Sequence, residues 1–75
     1  MTINPRIVLD PRILHGKPVI RGTRVPVSLI VGGLAGGMTF ETIQREYEVT
    51  AEDIRAALEF AGQLVEQEAF HPLPG

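Results

Sequence analysis

Four prolines, at positions 5, 11, 18 and 26, cut the first 26 residues into pieces too short for a stable helix. Proline has no backbone donor, its ring clashes with the preceding helical turn, and it holds the residue before it in extended geometry. This part of the chain therefore reads as short strands and turns. Ile7-Val8-Leu9 is a β-prone run closed by Asp10-Pro11, and Gly16 permits a turn. Pro18-Val19-Ile20 is a second run, followed by a tight loop at Arg21-Gly22-Thr23-Arg24. Prolines this close mark both runs as edge strands. Strands so short need helices, or another chain, to pack on.

From Pro26 onward the period changes. Proline suits a first helical turn, and Val27, Ile30, Val31 and Leu34 follow helical spacing up to a Gly36-Gly37 stop. Gly32 and Gly33 read as a close helix contact. Thr39 is the expected N-cap of a second helix, Phe40 to about Tyr47, with Phe40, Ile43 and Tyr47 as its apolar stripe. Thr50 caps a third helix with Asp53 three residues on, a variant of the capping box. Ile54, Ala57, Leu58, Ala61, Leu64 and Val65 repeat on its inner face to about Ala69. The expected fold is mainly α: a helix-turn-helix, homeodomain-like three-helix domain with a short N-terminal β arm. All 75 residues form one domain (1–75), with an arm at 1–25, a helical unit at 26–69 and a tail at 70–75.

So small a domain is marginal alone and gains from a second copy. With no cysteine, disulfides and thiolate zinc sites are excluded. The longest near-apolar stretch, 25–38, is shorter than the roughly 20 residues of a membrane helix. No signal peptide precedes it, so a cytoplasmic protein without membrane contact is expected. Gly16-Lys17 fails as a phosphate loop because positions 11 and 18 are prolines, and the glycines at 32–37 do not form a dinucleotide fingerprint. His15 and His71 lack an acidic cluster, so no metal or cofactor is expected, and no catalytic set stands out.

Charge is unevenly placed. Residues 1–24 carry five cations against one acid, a balance of +4, while residues 25–75 carry two against eight, a balance of −6. An anionic partner would meet the first segment and be repelled by the second. Candidate nucleic-acid contacts are Arg6, Arg12, Lys17, Arg21 and Arg24 in the arm, with Arg55 on the third helix. Equally, each arm arginine can cap a carbonyl or pair with a helical acid. The third helix opens with Glu52 and Asp53, which suit a helix N-terminus but repel phosphate. Phe70 and Leu73, near the helix end, are candidate partner contacts.

The string Gly16-Lys17-Pro18-Val19-Ile20-Arg21-Gly22-Thr23-Arg24-Val25-Pro26-Val27 resembles a widespread prokaryotic family, domain of unknown function 433. So do Ile7 to Pro11, Gly37-Met38-Thr39, Ile43, Tyr47 and the segment from Thr50 to Leu58. The likeness covers about residues 3–65. Where the family carries a proline after the tyrosine, this chain has Glu48. The resemblance implies a homeodomain-like dimer acting as an antitoxin, which binds a nuclease-like toxin and its own promoter DNA. In the matching string, Gly22 is expected to allow a tight turn, Thr23 to satisfy its backbone groups and Arg24 to tie the arm to the helices. The alternative is a protein-interaction or dimerisation module that keeps the helical scaffold without nucleic-acid binding.

Overall fold

A computed structural model of the chain describes residues 3–67. It is mainly helical, with a short antiparallel hairpin ahead of three helices. Strands β1 (Ile7–Val8) and β2 (Val19–Ile20) pair with Ile7 opposite Ile20 and Val8 opposite Val19. Their connection opens on a turn in which the Asp10 carbonyl accepts from the Ile13 N–H at 2.9 Å, with Pro11 at the second position that proline favours. It closes through Leu14, His15 and Gly16, at φ of 48°, 57° and 83°. Glycine takes this left-handed region freely, whereas Leu14 and His15 each carry a cost of roughly 1–2 kcal/mol there.

After β2 the chain reverses within four residues. Thr23 N–H donates to the Ile20 carbonyl at 3.0 Å, and Gly22 holds φ +78° at the third position of a type II turn. The Thr23 hydroxyl donates to the same carbonyl at 2.8 Å and accepts from the Val25 N–H at 2.9 Å. Gly22 and Thr23 thus play the parts expected of them. The returning segment bridges Val19 with Pro26. In a two-stranded sheet both strands are edges, as expected, and this single bridge covers part of the open side of β2. Pro18 stands just outside the ladder and offers its carbonyl to the Val27 N–H at 2.9 Å. Both strands therefore find their pairing within one chain.

Helix α1 (Val27–Ala35) follows Pro26, which serves as its N-cap. It ends in a Schellman motif: Met38 N–H donates to the Gly33 carbonyl, Gly37 N–H donates to Leu34, and Gly37 sits at φ +98°. Gly33 is the close contact expected of this glycine run, since an added Cβ would lie 3.0 Å from the Met38 sulfur and 3.5 Å from Ile43. Helix α2 (Phe40–Tyr47) starts at Thr39, whose hydroxyl accepts from the Thr42 N–H. Glu48 then turns the chain at φ 55° and ψ 46°. A proline, locked near −65°, could not occupy this turn. Helix α3 (Ala51–Gln67) begins with a complete capping box. Thr50 N–H donates to the Asp53 carboxylate at 2.9 Å, and Asp53 N–H donates to the Thr50 hydroxyl at 3.1 Å.

The core gathers Ile7 and Ile20 from the hairpin, Ile30 from α1, Ile43 from α2, Val49 from the turn, and Ile54, Ala57 and Phe60 from α3. One expectation fails here. Leu58, Leu64 and Val65 were assigned to the buried face of α3, yet they are 40%, 43% and 59% exposed. Leu58, which precedes the buried Phe60, and Val65 stand on the flank of the face set by Ile54, Ala57 and Phe60, while Leu64 lies on that face near the end of α3, which is about 26 Å long against about 14 Å for α1 at 1.5 Å per residue. The C-terminal turns of α3 outrun their cover. No described helix is long and apolar enough to cross a membrane.

Candidate functional site

The ladder sorts the candidate cations by position. Arg6 precedes β1 and Arg21 follows β2, so they face each other at one end of the hairpin, where Arg21 N–H donates to the Arg6 carbonyl at 2.7 Å. Arg24 closes the adjacent reversal and belongs to the same end. Arg12 and Lys17 lie in the 9–18 connection at the opposite end. The five arm cations thus form two groups.

Arg6 also reaches the first turn of α3, with its guanidinium 3.0 Å from the second oxygen of Asp53. A single carboxylate therefore completes the α3 capping box and fastens the arm to the helix. Partial burial pushes this carboxyl up. The Thr50 backbone N–H, the Arg6 guanidinium and the Thr50 hydroxyl outweigh that effect and hold it below the ordinary range. Asn4 strengthens the same junction. Its side chain accepts from the Arg6 N–H at 2.9 Å and donates to Glu59 at 3.3 Å. The sequence signal for the capping box was plain, but nothing in the local pattern pointed to Arg6 or Asn4 as partners across 47 and 55 residues.

The other candidates divide between engaged and unengaged groups. Arg21 donates to the Pro5 carbonyl at 2.6 Å, the carbonyl-capping role. Arg12 grips Asp10 through two guanidinium nitrogens at 3.1 and 3.0 Å, which holds the Asp10 carboxyl below its usual range and raises Arg12. Arg55 pairs with Glu52 at 3.3 Å on an exposed surface. Arg24 and Lys17 have no hydrogen bond or ion pair among the described residues, so the tie expected of Arg24 to the helices is not formed there. Phe70 and Leu73 lie outside the described residues.

Arg6 touches the start of α3, and Arg21 adjoins Arg6 across the ladder. Arg6, Arg21 and Arg24 stand at the near end of the hairpin, and Arg55 lies one turn into the helix. Of the two acids expected to repel phosphate there, Asp53 is drawn inward by Arg6 and Thr50, while Glu52 carries Arg55. At the far end, α1 and the last turns of α3 enclose an open apolar groove of about 430 Å³ beside Lys17. Among the described residues no group of three His, Cys, Asp or Glu could hold a metal ion.

Comparison with known proteins places this arrangement. The sequence model of the family described as "Protein of unknown function (DUF433)" matches residues 7–61. A Mycobacterium tuberculosis protein named "Putative antitoxin VapB45" is 42% identical over 71% of this chain and 22% of its own length. A Sinorhizobium fredii protein, y4eO, is 39% identical over 73% of this chain and 25% of its own. The chain therefore spans about a quarter of the length of these relatives. Among solved structures, a DUF433 member from Anabaena variabilis superposes with a TM-score of 0.75 at 33% identity, covering 83% of this chain and 62% of that one. Rv2018 of Mycobacterium tuberculosis gives a TM-score of 0.64 at 42% identity, over 69% and 24% of the two chains.

Proposed function

The chain belongs to the DUF433 family, and from that footing we propose that it is a non-catalytic, antitoxin-like regulatory protein of the cytoplasm. In this reading it binds a partner toxin and, as a dimer, promoter DNA. The observation that carries the DNA half is the Arg6–Asp53 contact at 3.0 Å. It joins the basic end of the hairpin to the first turn of α3 and neutralises the acid nearest that junction. Helices α2 and α3, linked through Glu48, Val49 and Thr50, then act as a helix-turn-helix. The α3 N-terminus approaches DNA flanked by Arg21 and Arg24, with Arg55 one turn along. Phosphate contacts from the arm position the module, and the relative named as an antitoxin supports the regulatory role.

The test is binding to a DNA fragment from upstream of the protein's own gene, measured against salt. Affinity should fall steeply, with a log–log slope near −0.9 per phosphate contact. A folded protein with no binding at low salt overturns the DNA half. Co-purification from the native host tests the toxin half, and the absence of any partner protein would sink it.

A second reading is favoured by a specific observation. Arg6, Arg12 and Arg55 already hold acids of the same chain, which lowers the net positive field offered to phosphate. On that reading the chain is a protein-interaction or dimerisation module without nucleic-acid binding. Salt-insensitive partner binding with no DNA affinity would select it.

A further inference from the structure

The groove between α1 and α3 is short. Val27, Ser28 and Val31 line one wall and Phe60, Ala61 and Leu64 the other, with Lys17 of the hairpin connection beside them. Each wall spans four residue steps, about 6 Å of helix at 1.5 Å per residue. A peptide helix docked in a groove uses anchors at i, i+3, i+4 and i+7, over about 10 Å, so this groove is too short for one. Its volume of about 430 Å³ falls instead among pockets that hold small molecules, roughly 300–1,000 Å³.

Charge sets the polarity of the occupant. Among the described residues Lys17 is the one charged group lining the groove, and it has no hydrogen bond or ion pair there. Ser28 lies in the first turn of α1, which carries no acid and no capping side chain. The positive end of the helix dipole therefore adds to the ammonium. The α3 acids Glu52, Glu59 and Glu66, seven apart, share a different side of the helix from Phe60, Ala61 and Leu64. An anionic head with an apolar body meets attraction beside Lys17 and apolar walls beyond it. We propose that the groove is a binding site for a small monocarboxylate with a compact apolar body, an aryl or branched alkyl acid. Its carboxylate pairs with Lys17 and accepts from the Ser28 hydroxyl, and its body packs on Val31, Phe60, Ala61 and Leu64. The site does not depend on the toxin or DNA readings. It gives a role to Lys17, which stands at the opposite end of the hairpin from Arg6, Arg21 and Arg24.

The probes are phenylbutyrate and isocaproate, with phenylbutanol and phenylbutylamine as neutral and cationic counterparts. They are titrated into the full chain and followed by backbone amide chemical shifts. Phenylbutyrate should saturate with Kd on the order of 1 mM, as suits a ligand of its size, and shift the amides of Ser28, Val31, Ala61 and Leu64. It should bind roughly fivefold tighter than the alcohol, and the amine should bind weakest. Lys17 and Ser28 are both exposed, so Lys17→Met and Ser28→Glu should retain helical circular dichroism. Lys17→Met should bring acid and alcohol to equal affinity, and Ser28→Glu should make the acid the weaker of the two. No saturation by either acid at roughly ten times that Kd overturns the site, including the case where a protein covers the groove. Equal binding of acid and amine, shifts away from the groove, or a preference that survives Lys17→Met overturns it as well.

Discussion

Asp53 joins two parts of the molecule through one carboxylate, so its removal is the most informative single change. Asp53→Ala deletes the acceptor for the Thr50 N–H and the partner of Arg6. Loss of a capping interaction costs about 1 kcal/mol. The Arg6 pair adds roughly 0.5 kcal/mol, because the Arg6 side chain is 49% exposed while that of Asp53 is 13% exposed. Removing a negative charge from the first helical turn adds about 0.5 kcal/mol. The total, about 2 kcal/mol, lowers Tm by roughly 10 °C for a domain of this size. Asp53→Asn keeps an acceptor for Thr50 and should cost about half as much. Arg6→Ala measured alone and with Asp53→Asn should return a coupling of about 0.5 kcal/mol. The pH dependence has a definite sign. The folded carboxyl sits below its unfolded value, near 3.9 for aspartate, so its contribution is complete above that pH and is lost as pH falls through the lower folded value. Thermal melts from pH 7 to pH 2.5 should therefore show wild type and Asp53→Asn converging in acid. A difference that persists unchanged at pH 2.5, or an alanine variant within 0.5 kcal/mol of wild type, would refute the two-sided role.

Other positions give sharper signs than sizes. Glu48→Gly relieves a left-handed residue and should stabilise the chain by roughly 0.5–1 kcal/mol in urea unfolding, whereas Glu48→Val should destabilise it. Gly33→Val drives a branched side chain into Met38 and Ile43 and should cost about 1–3 kcal/mol by the same assay. Thr23→Val removes both hydroxyl hydrogen bonds of the reversal after β2, and thermal melts should show a loss of about 2 kcal/mol. Arg24→Ala, free of partners among the described residues, should leave Tm unchanged and reduce the salt slope of DNA binding by about 1. Arg21→Ala should reduce both, because Arg21 also holds the Pro5 carbonyl.

Most of the fold was legible in the sequence because its signals are local. The prolines confine the first segment to extended structure, and the threonines at 39 and 50 start helices where their hydroxyls meet backbone donors within three residues. Gly22 and Gly37 mark left-handed turns that glycine alone accepts without strain. What escaped were conformations that break local preference. Leu14, His15 and Glu48 all adopt positive φ, against the tendency of their residue types, because strand pairing and helix packing hold the segments on either side. The candidate site was legible only as a list of cations. Chain order puts Arg6 and Arg12 close together and Arg6 and Asp53 far apart, and folding reverses both relations.

By itself the sequence determined the identity of the helices and their starts at Thr39 and Thr50, the capping chemistry and the split between a basic arm and an acidic helical body. These follow from backbone sterics and from residues no more than a few positions apart. Only tertiary structure decided which cations stand together and which acid joins the arm to α3. It also decided that α3 turns its Ile54, Ala57 and Phe60 side to the core, which leaves Leu58 and Val65 on the flank, and that Leu64 lies beyond the reach of α1. Helical periodicity selects a face for each helix, but how far that face is buried depends on the length and placement of its neighbour. That quantity is set by packing between distant segments, and no local pattern records it.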